Sequence, residues 1–215
     1  MHWADMIADP SIDAIIAVAP PEVTTEVALA CAAAGKAVMA TKPLFDHPET
    51  IRAPFYVDFW RLWSEAQRDM KANQFWFAGS GPFRGFPGAL DYGPHAIAAC
   101  IDAGFPELDE CHRMPSANGG ELFHAVFSGG GDAYVTACFG NGSDGGSRSV
   151  WGHEETATHI GSEPKSTVLQ RFCQSFLNDI SEGFVDTRLL RLSRDGMREL
   201  RKIRELATAS DSTRR

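Results

Sequence analysis

Lys42, Asp91 and His95 are the residues of this sequence whose types and surroundings best suit proton transfer at a hydroxyl or carbonyl. Lys42 comes directly after the apolar segment Lys36 to Thr41 (KAVMAT), which reads as a parallel strand. Side chains at the carboxyl end of such a strand face the crevice where ligands bind. A lysine there can polarise a carbonyl or hold a hydroxyl oxygen, although a solvated lysine at a strand end fits the same residues. Asp91-Tyr92-Gly93-Pro94-His95 places an acid one helical turn before an imidazole. With a helix starting near Pro94, the carboxylate can fix the tautomer while the ring donates or accepts a proton. The plainer alternative makes Asp91 a helix cap and His95 a half-buried, hydrogen-bonded side chain.

Other candidates carry less. Gly79-Ser80-Gly81-Pro82-Phe83-Arg84-Gly85 imitates a dinucleotide fingerprint, but Arg84 stands where the third glycine belongs. The residues that follow are rich in Pro and Gly and do not open a helix, so the segment reads as a tight connection. His47, His112, His124, His153 and His159 show no ligand spacing and read as surface or loop residues. The five cysteines are scattered, giving neither a disulfide framework nor a zinc signature, and no metal site is expected.

The elements that must position these groups follow from the apolar pattern. Ile12 to Val18 is a nearly continuous apolar run rich in β-branched residues and ended by Pro20-Pro21. Such a run suits a strand covered on both faces. Pro21 and Glu22 suit the first turn of a helix that continues to a cap at Gly35. Strand, helix and strand within about 30 residues form a right-handed βαβ crossover. Phe45 to Pro54 reads as a connector, Phe55 to Phe59 as a strand, Trp60 to Ala72 as a helix, Gln74 to Ala78 as a strand, and Asp91 to Ala103 as a helix. Leu122 to Phe127, Ala133 to Phe139 and Ser147 to Trp151 alternate, with glycine-rich loops between them, which predicts antiparallel hairpins. Helical spacing from Thr167 to about Ala207 closes the chain.

The chain has 215 residues, 44% of them hydrophobic, which is enough for one medium or two small units with a real core. Its formal charge of −8 repels phosphate backbones, so nucleic acid is not an expected partner. No apolar run approaches the roughly 18 residues needed to cross a bilayer. No signal peptide is visible, so a soluble cytoplasmic protein is expected.

Taken together, these pieces resemble the Gfo/Idh/MocA oxidoreductases. The resemblance is carried by Ala19-Pro20-Pro21 with Thr24 and Glu26, Gly35-Lys36-Ala37-Val38, and Thr41-Lys42-Pro43-Leu44. Val57-Asp58-Phe59, Asp91-Tyr92-Gly93-Pro94-His95, Gly140-Asn141-Gly142 and the closing helix follow in family order. It implies an α/β front with a partial Rossmann-like parallel sheet over residues 1–54. It also implies an α+β domain over 55–215 with a large, mainly antiparallel open sheet, whose closing helix, about 167–207, packs back on the first domain. The implied activity is nicotinamide-dependent oxidation or reduction of a sugar-like or other small substrate. Lys42, Asp91 and His95 fall on the family's pocket lysine, aspartate and histidine. His95 would be the general acid/base, Lys42 the group polarising oxygen, and Asp91 the orienting residue. Ala19, Pro20, Pro21, Thr41 and Lys42 would lie on the nicotinamide side of NAD or NADP.

Three departures from the family pattern stand out. Thr41 replaces the usual Glu before the lysine, and Thr24 stands where the family often has His. The connector from Leu44 to Val57 is shorter than usual. The glycine-rich first turn and the ribose-binding acid have no counterpart, so the chain reads as an N-terminally shortened version without the pyrophosphate and adenosine anchors. Two further functions fit the same residues: a cofactor-independent elimination, epimerisation or cyclisation, and a non-catalytic partner of a full-length homologue. The family's open sheet implies a homo-oligomer.

Overall fold

The computed structural model describes residues 2–63, 74–79, 88–114, 122–129, 134–141, 150–153, 156–159 and 164–212. In chain order the elements are α1 (Trp3–Ala8), β1 (Ala14–Ala17), α2 (Pro21–Ala34), β2 (Ala37–Ala40), β3 (Phe55–Val57), a 3-10 turn (Trp60–Trp63) and β4 (Gln74–Gly79). They continue with α3 (Gly88–Asp102), β5 (Glu107–Met114), β6 (Leu122–Ser128), β7 (Tyr134–Asn141), β8 (Val150–His153), β9 (Thr156–His159), α4 (Lys165–Glu182) and α5 (Arg188–Ser212). The chain divides into two compact units, Met1–Trp63 with Lys165–Arg194, and Ser64–Pro164 with Asp195–Arg215.

The first unit holds a parallel sheet in the order β1-β2-β3. Every residue of the central strand β2 is buried, as an apolar run without a polar face requires. Helix α2 starts with Pro21 at its first position and buries Thr24, Val27, Ala28, Cys31 and Ala32. It stops at Gly35, whose φ of 70° is left-handed and open to glycine without strain. Strand β3 pairs with β2 in this sheet, so Phe55–Val57 belongs with the elements before it, on the other side of the 54/55 division expected from sequence.

Helix α4 packs on the 3-10 turn and β3 through aromatic rings. Phe172 lies 4.9 Å from Trp63 and 5.4 Å from Tyr56, and Phe176 lies 5.1 Å from Tyr56, all between ring centroids. The Tyr56 hydroxyl donates to Asp179 Oδ2 at 2.7 Å and sits 2.9 Å from Ser175 Oγ. This buried hydroxyl is satisfied, and burial pushes its pKa up.

The expected single closing helix is two helices. Gly183, at φ 65°, ends α4, with its N–H donating to the Ile180 carbonyl and that of Phe184 to the Asp179 carbonyl. Asp186 Oδ1 then accepts from the Arg188 N–H at 2.7 Å and starts α5. Apolar periodicity carried across the break because both helices present an apolar face; the turn chemistry at Gly183 overrides it.

The second unit holds a six-stranded sheet in the order β5-β6-β7-β4-β8-β9. Its pairs are antiparallel except β4 with β7. On one face Phe123, Ala125 and Phe127 of β6 stand opposite Phe139, Ala137 and Val135 of β7, all buried. This alternation is the one the sequence shows. Helix α3 begins at Gly88, earlier than the expected start near Pro94, and carries Pro94 inside. Gly93 lets it approach closely: a Cβ there would lie 2.9 Å from Leu200 Cδ1 and 3.2 Å from the Phe139 ring.

Of the expected helix from Trp60 to Ala72, the 3-10 turn is described and 64–72 lies outside the described residues. So do 80–87, containing most of the glycine-rich connection, and the loop positions 130–133 and 142–149. No helix among the described residues is long and apolar enough to cross a membrane.

Candidate active site

In the first unit, Ala19, Pro20 and Pro21 follow the carboxyl end of β1, and Thr41 and Lys42 follow that of its parallel neighbour β2. Thr24 is fully buried at the start of α2, and its Oγ1 donates to the Ala19 carbonyl at 3.0 Å while the Ala19 N–H lies 3.2 Å away. Thr24 Oγ1 also lies 3.3 Å from Thr41 Oγ1, and Thr41 donates through its N–H and hydroxyl to the Ala17 carbonyl. The two positions that depart from the family pattern therefore touch each other. Where His and Glu would carry ring and charge, two small hydroxyls knit the loop to the strand ends.

Lys42 stands two residues past β2, half-buried, and Asp58 stands one residue past β3. The Asp58 N–H donates to the Ala40 carbonyl at 2.8 Å, continuing the ladder and setting Asp58 beside the segment that carries Lys42. Burial pushes the Asp58 carboxyl above the ordinary aspartate range. The charges of Lys42, Lys165 and Arg61 and the Trp60 N–H oppose that shift. Lys165 Nζ lies 5.4 Å and Arg61 Cζ 4.9 Å from the Trp60 ring centroid.

Asp58, Arg61 and Lys165 are absent from the candidates read in the sequence. Asp58 had a legible signal, since it follows an apolar strand just as Lys42 does. Lys165 had none, because its proximity to Trp60 depends on how α4 packs.

Because the Asp58 pKa is raised on folding, its neutral form is the one the fold favours. That contribution is full at low pH and is lost as the pH rises through the folded pKa. Asp58→Asn is therefore expected to gain stability relative to the native chain as pH rises from acid to neutral. Urea midpoints at several pH values check this, and a difference that is flat with pH contradicts it.

Asp91 and His95 lie in the second unit, one helical turn apart in α3, and His95 is buried at 7% exposure. Asp91 is inside α3, three residues past its start, so the expected capping position at a helix beginning near Pro94 is corrected. His47, His112 and His124 serve other contacts. His47 Nε2 lies 3.0 Å from the buried Ser193 Oγ, and His112 stacks on His124 with centroids 6.3 Å apart. Burial pushes Cys31 and Cys138 up to about 11, so both remain thiols at neutral pH and offer no nucleophile.

Residues 1–55 match the Gfo/Idh/MocA model, an oxidoreductase family with an NAD-binding Rossmann fold. The β1-α2-β2-β3 arrangement is the part of such a fold that the structure displays. No curated protein matches the sequence.

Among solved structures, the fold is similar to that of myo-inositol 2-dehydrogenase from Lactobacillus plantarum, with a TM-score of 0.74 at 16% identity over 98% of this chain and 82% of that one. It is also similar to scyllo-inositol dehydrogenase from Lactobacillus casei with bound NAD(H) and scyllo-inositol, with a TM-score of 0.72 at 14% identity over 98% and 82%. UDP-N-acetylglucosamine 3-dehydrogenase from Acidithiobacillus ferrooxidans gives 0.70 at 12% identity over 97% and 82%. These likenesses show the two-part fold, with a parallel front sheet and a second, mainly antiparallel sheet.

Pro20 and Pro21 have no N–H to offer, and Glu22 places a negative charge in the first turn of α2. That helix start is unsuited to a pyrophosphate.

Proposed function

We propose that this protein is a nicotinamide-linked oxidoreductase acting on a secondary alcohol of a polyol or sugar-like substrate, or on the corresponding ketone. The observation that carries the reading is the placement of Lys42 with Ala19, Pro20, Pro21 and Thr41 at the carboxyl ends of parallel strands, within the segment matched to an NAD-binding oxidoreductase family. Ligands of open α/β sheets bind at such strand ends. Likeness to dehydrogenases of inositols and of a nucleotide sugar supports the substrate class.

In this reading the Lys42 ammonium holds the reacting oxygen and stabilises negative charge on it. His95 takes the hydroxyl proton in oxidation and returns it in reduction, and Asp91, one turn earlier, orients substrate or the imidazole. Burial of His95 keeps bulk water from competing for that proton. A nicotinamide bound at the strand ends would supply or accept the hydride.

The test uses the five tryptophans of the chain as energy donors to NADH or NADPH. A saturable rise in sensitised nicotinamide emission is expected, followed by turnover with an inositol. Absence of binding up to about 5 mM, a standard free energy of only about −3 kcal/mol, together with absence of turnover, overturns the proposal.

A further inference from the structure

We propose that Asp58 is the positioning residue for Lys42, holding its ammonium at the carboxyl edge of the parallel sheet. The inference rests on the reading of Lys42 as the oxygen-binding group and adds the residue that aims it.

The backbone makes the juxtaposition. Strands β2 and β3 are parallel neighbours in register, Ala40 beside Val57, and the Asp58 N–H bonds the Ala40 carbonyl at 2.8 Å. Both chains leave the sheet at the same end, so the first residues beyond β3 lie beside the first beyond β2. Asp58 is half-buried there. The groups that act on its carboxyl come from three elements: Lys42 after β2, Arg61 in the 3-10 turn, and Lys165 at the start of α4. Cys173, one further helical stretch along α4, feels the Asp58 charge in turn.

The Trp60 face organises two of these cations, with Arg61 at 4.9 Å and Lys165 at 5.4 Å from its centroid. Arg61 and Lys165 thus have an aromatic surface to lie on, whereas the charge of Lys42 acts on Asp58 from the neighbouring strand end. A carboxylate retained in a half-buried position against its own desolvation is the arrangement expected of a group kept for placement of a charge.

Acylation of Lys42 by acetic anhydride at pH 8, followed by peptide mass spectrometry, tests this without cofactor or substrate. A carboxylate that holds the amine keeps it from attacking the reagent. In Asp58→Asn, Lys42 labelling is expected to rise by about fivefold, with Lys36 as the internal reference. Asp58→Glu should bring labelling back towards the native level. Unchanged labelling of Lys42 in a folded Asp58→Asn chain overturns the proposal.

If Asp58→Asn does not fold, Lys42→Gln supplies the reciprocal measurement. The titration midpoint of the Asp58 carboxyl, followed by carbon NMR, is expected to move up, and an unmoved midpoint overturns the pairing. Failure of nicotinamide binding with a positive labelling result would reject the oxidoreductase reading and leave the pairing standing.

Discussion

On the proposed oxidoreductase reading, His95→Asn is expected to lower the turnover number by about 10²-fold to 10⁴-fold, the usual contribution of a positioned general acid or base. The imidazole is buried in α3, and Asn keeps one hydrogen-bonding edge while removing the ring that could exchange a proton. The Michaelis constant should change much less than the turnover number, since the proton is in transfer only in the transition state. Steady-state rates check both. A variant with native turnover would remove His95 from the chemistry and favour a purely packed role.

Phe172→Ala is expected to cost about 3–5 kcal/mol of stability, the range for deleting a buried aromatic ring. Phe172 is fully buried and meets Trp63 edge-on at 4.9 Å and Tyr56 at 5.4 Å. The cavity left is bounded by these stiff rings, which cannot collapse into it as flexible side chains would. Total stabilities of domains are about 5–15 kcal/mol, so a loss of this size should move the urea midpoint far down. It should also disturb the site indirectly, because α4 carries Lys165 to Trp60 and holds Tyr56 through Ser175 and Asp179. Urea unfolding followed by tryptophan fluorescence measures the loss. A cost under about 1 kcal/mol would show that α4 is anchored elsewhere.

Thr24 and Thr41 meet at the strand ends. By the family resemblance, Glu is the usual residue at position 41, and position 24 often holds His. The structure shows Thr24 and Thr41 within 3.3 Å of one another, with Thr24 also holding Ala19. Their hydroxyls serve the loop that would face the nicotinamide, so they act on a ligand through the backbone they hold.

Local chemistry was enough to read the front of the molecule. Apolar runs with no polar face require a sheet covered on both sides, Pro21 and Gly35 punctuate α2, and Lys42 at a strand end follows from chain direction alone. The alternation of β6 and β7 likewise dictated which residues turn inward. Long-range packing decided the rest. The pairing of β3 with β2, the parallel placement of β4 against β7, and the meeting of α4 with Trp60 join residues far apart in the chain. No local propensity encodes such meetings, because each is chosen by the burial and hydrogen bonding of the assembled unit. Asp58 marks the boundary between the two. Its place at a strand end was written in its neighbours, but its role beside Lys42 came into view only once two parallel strands lay side by side.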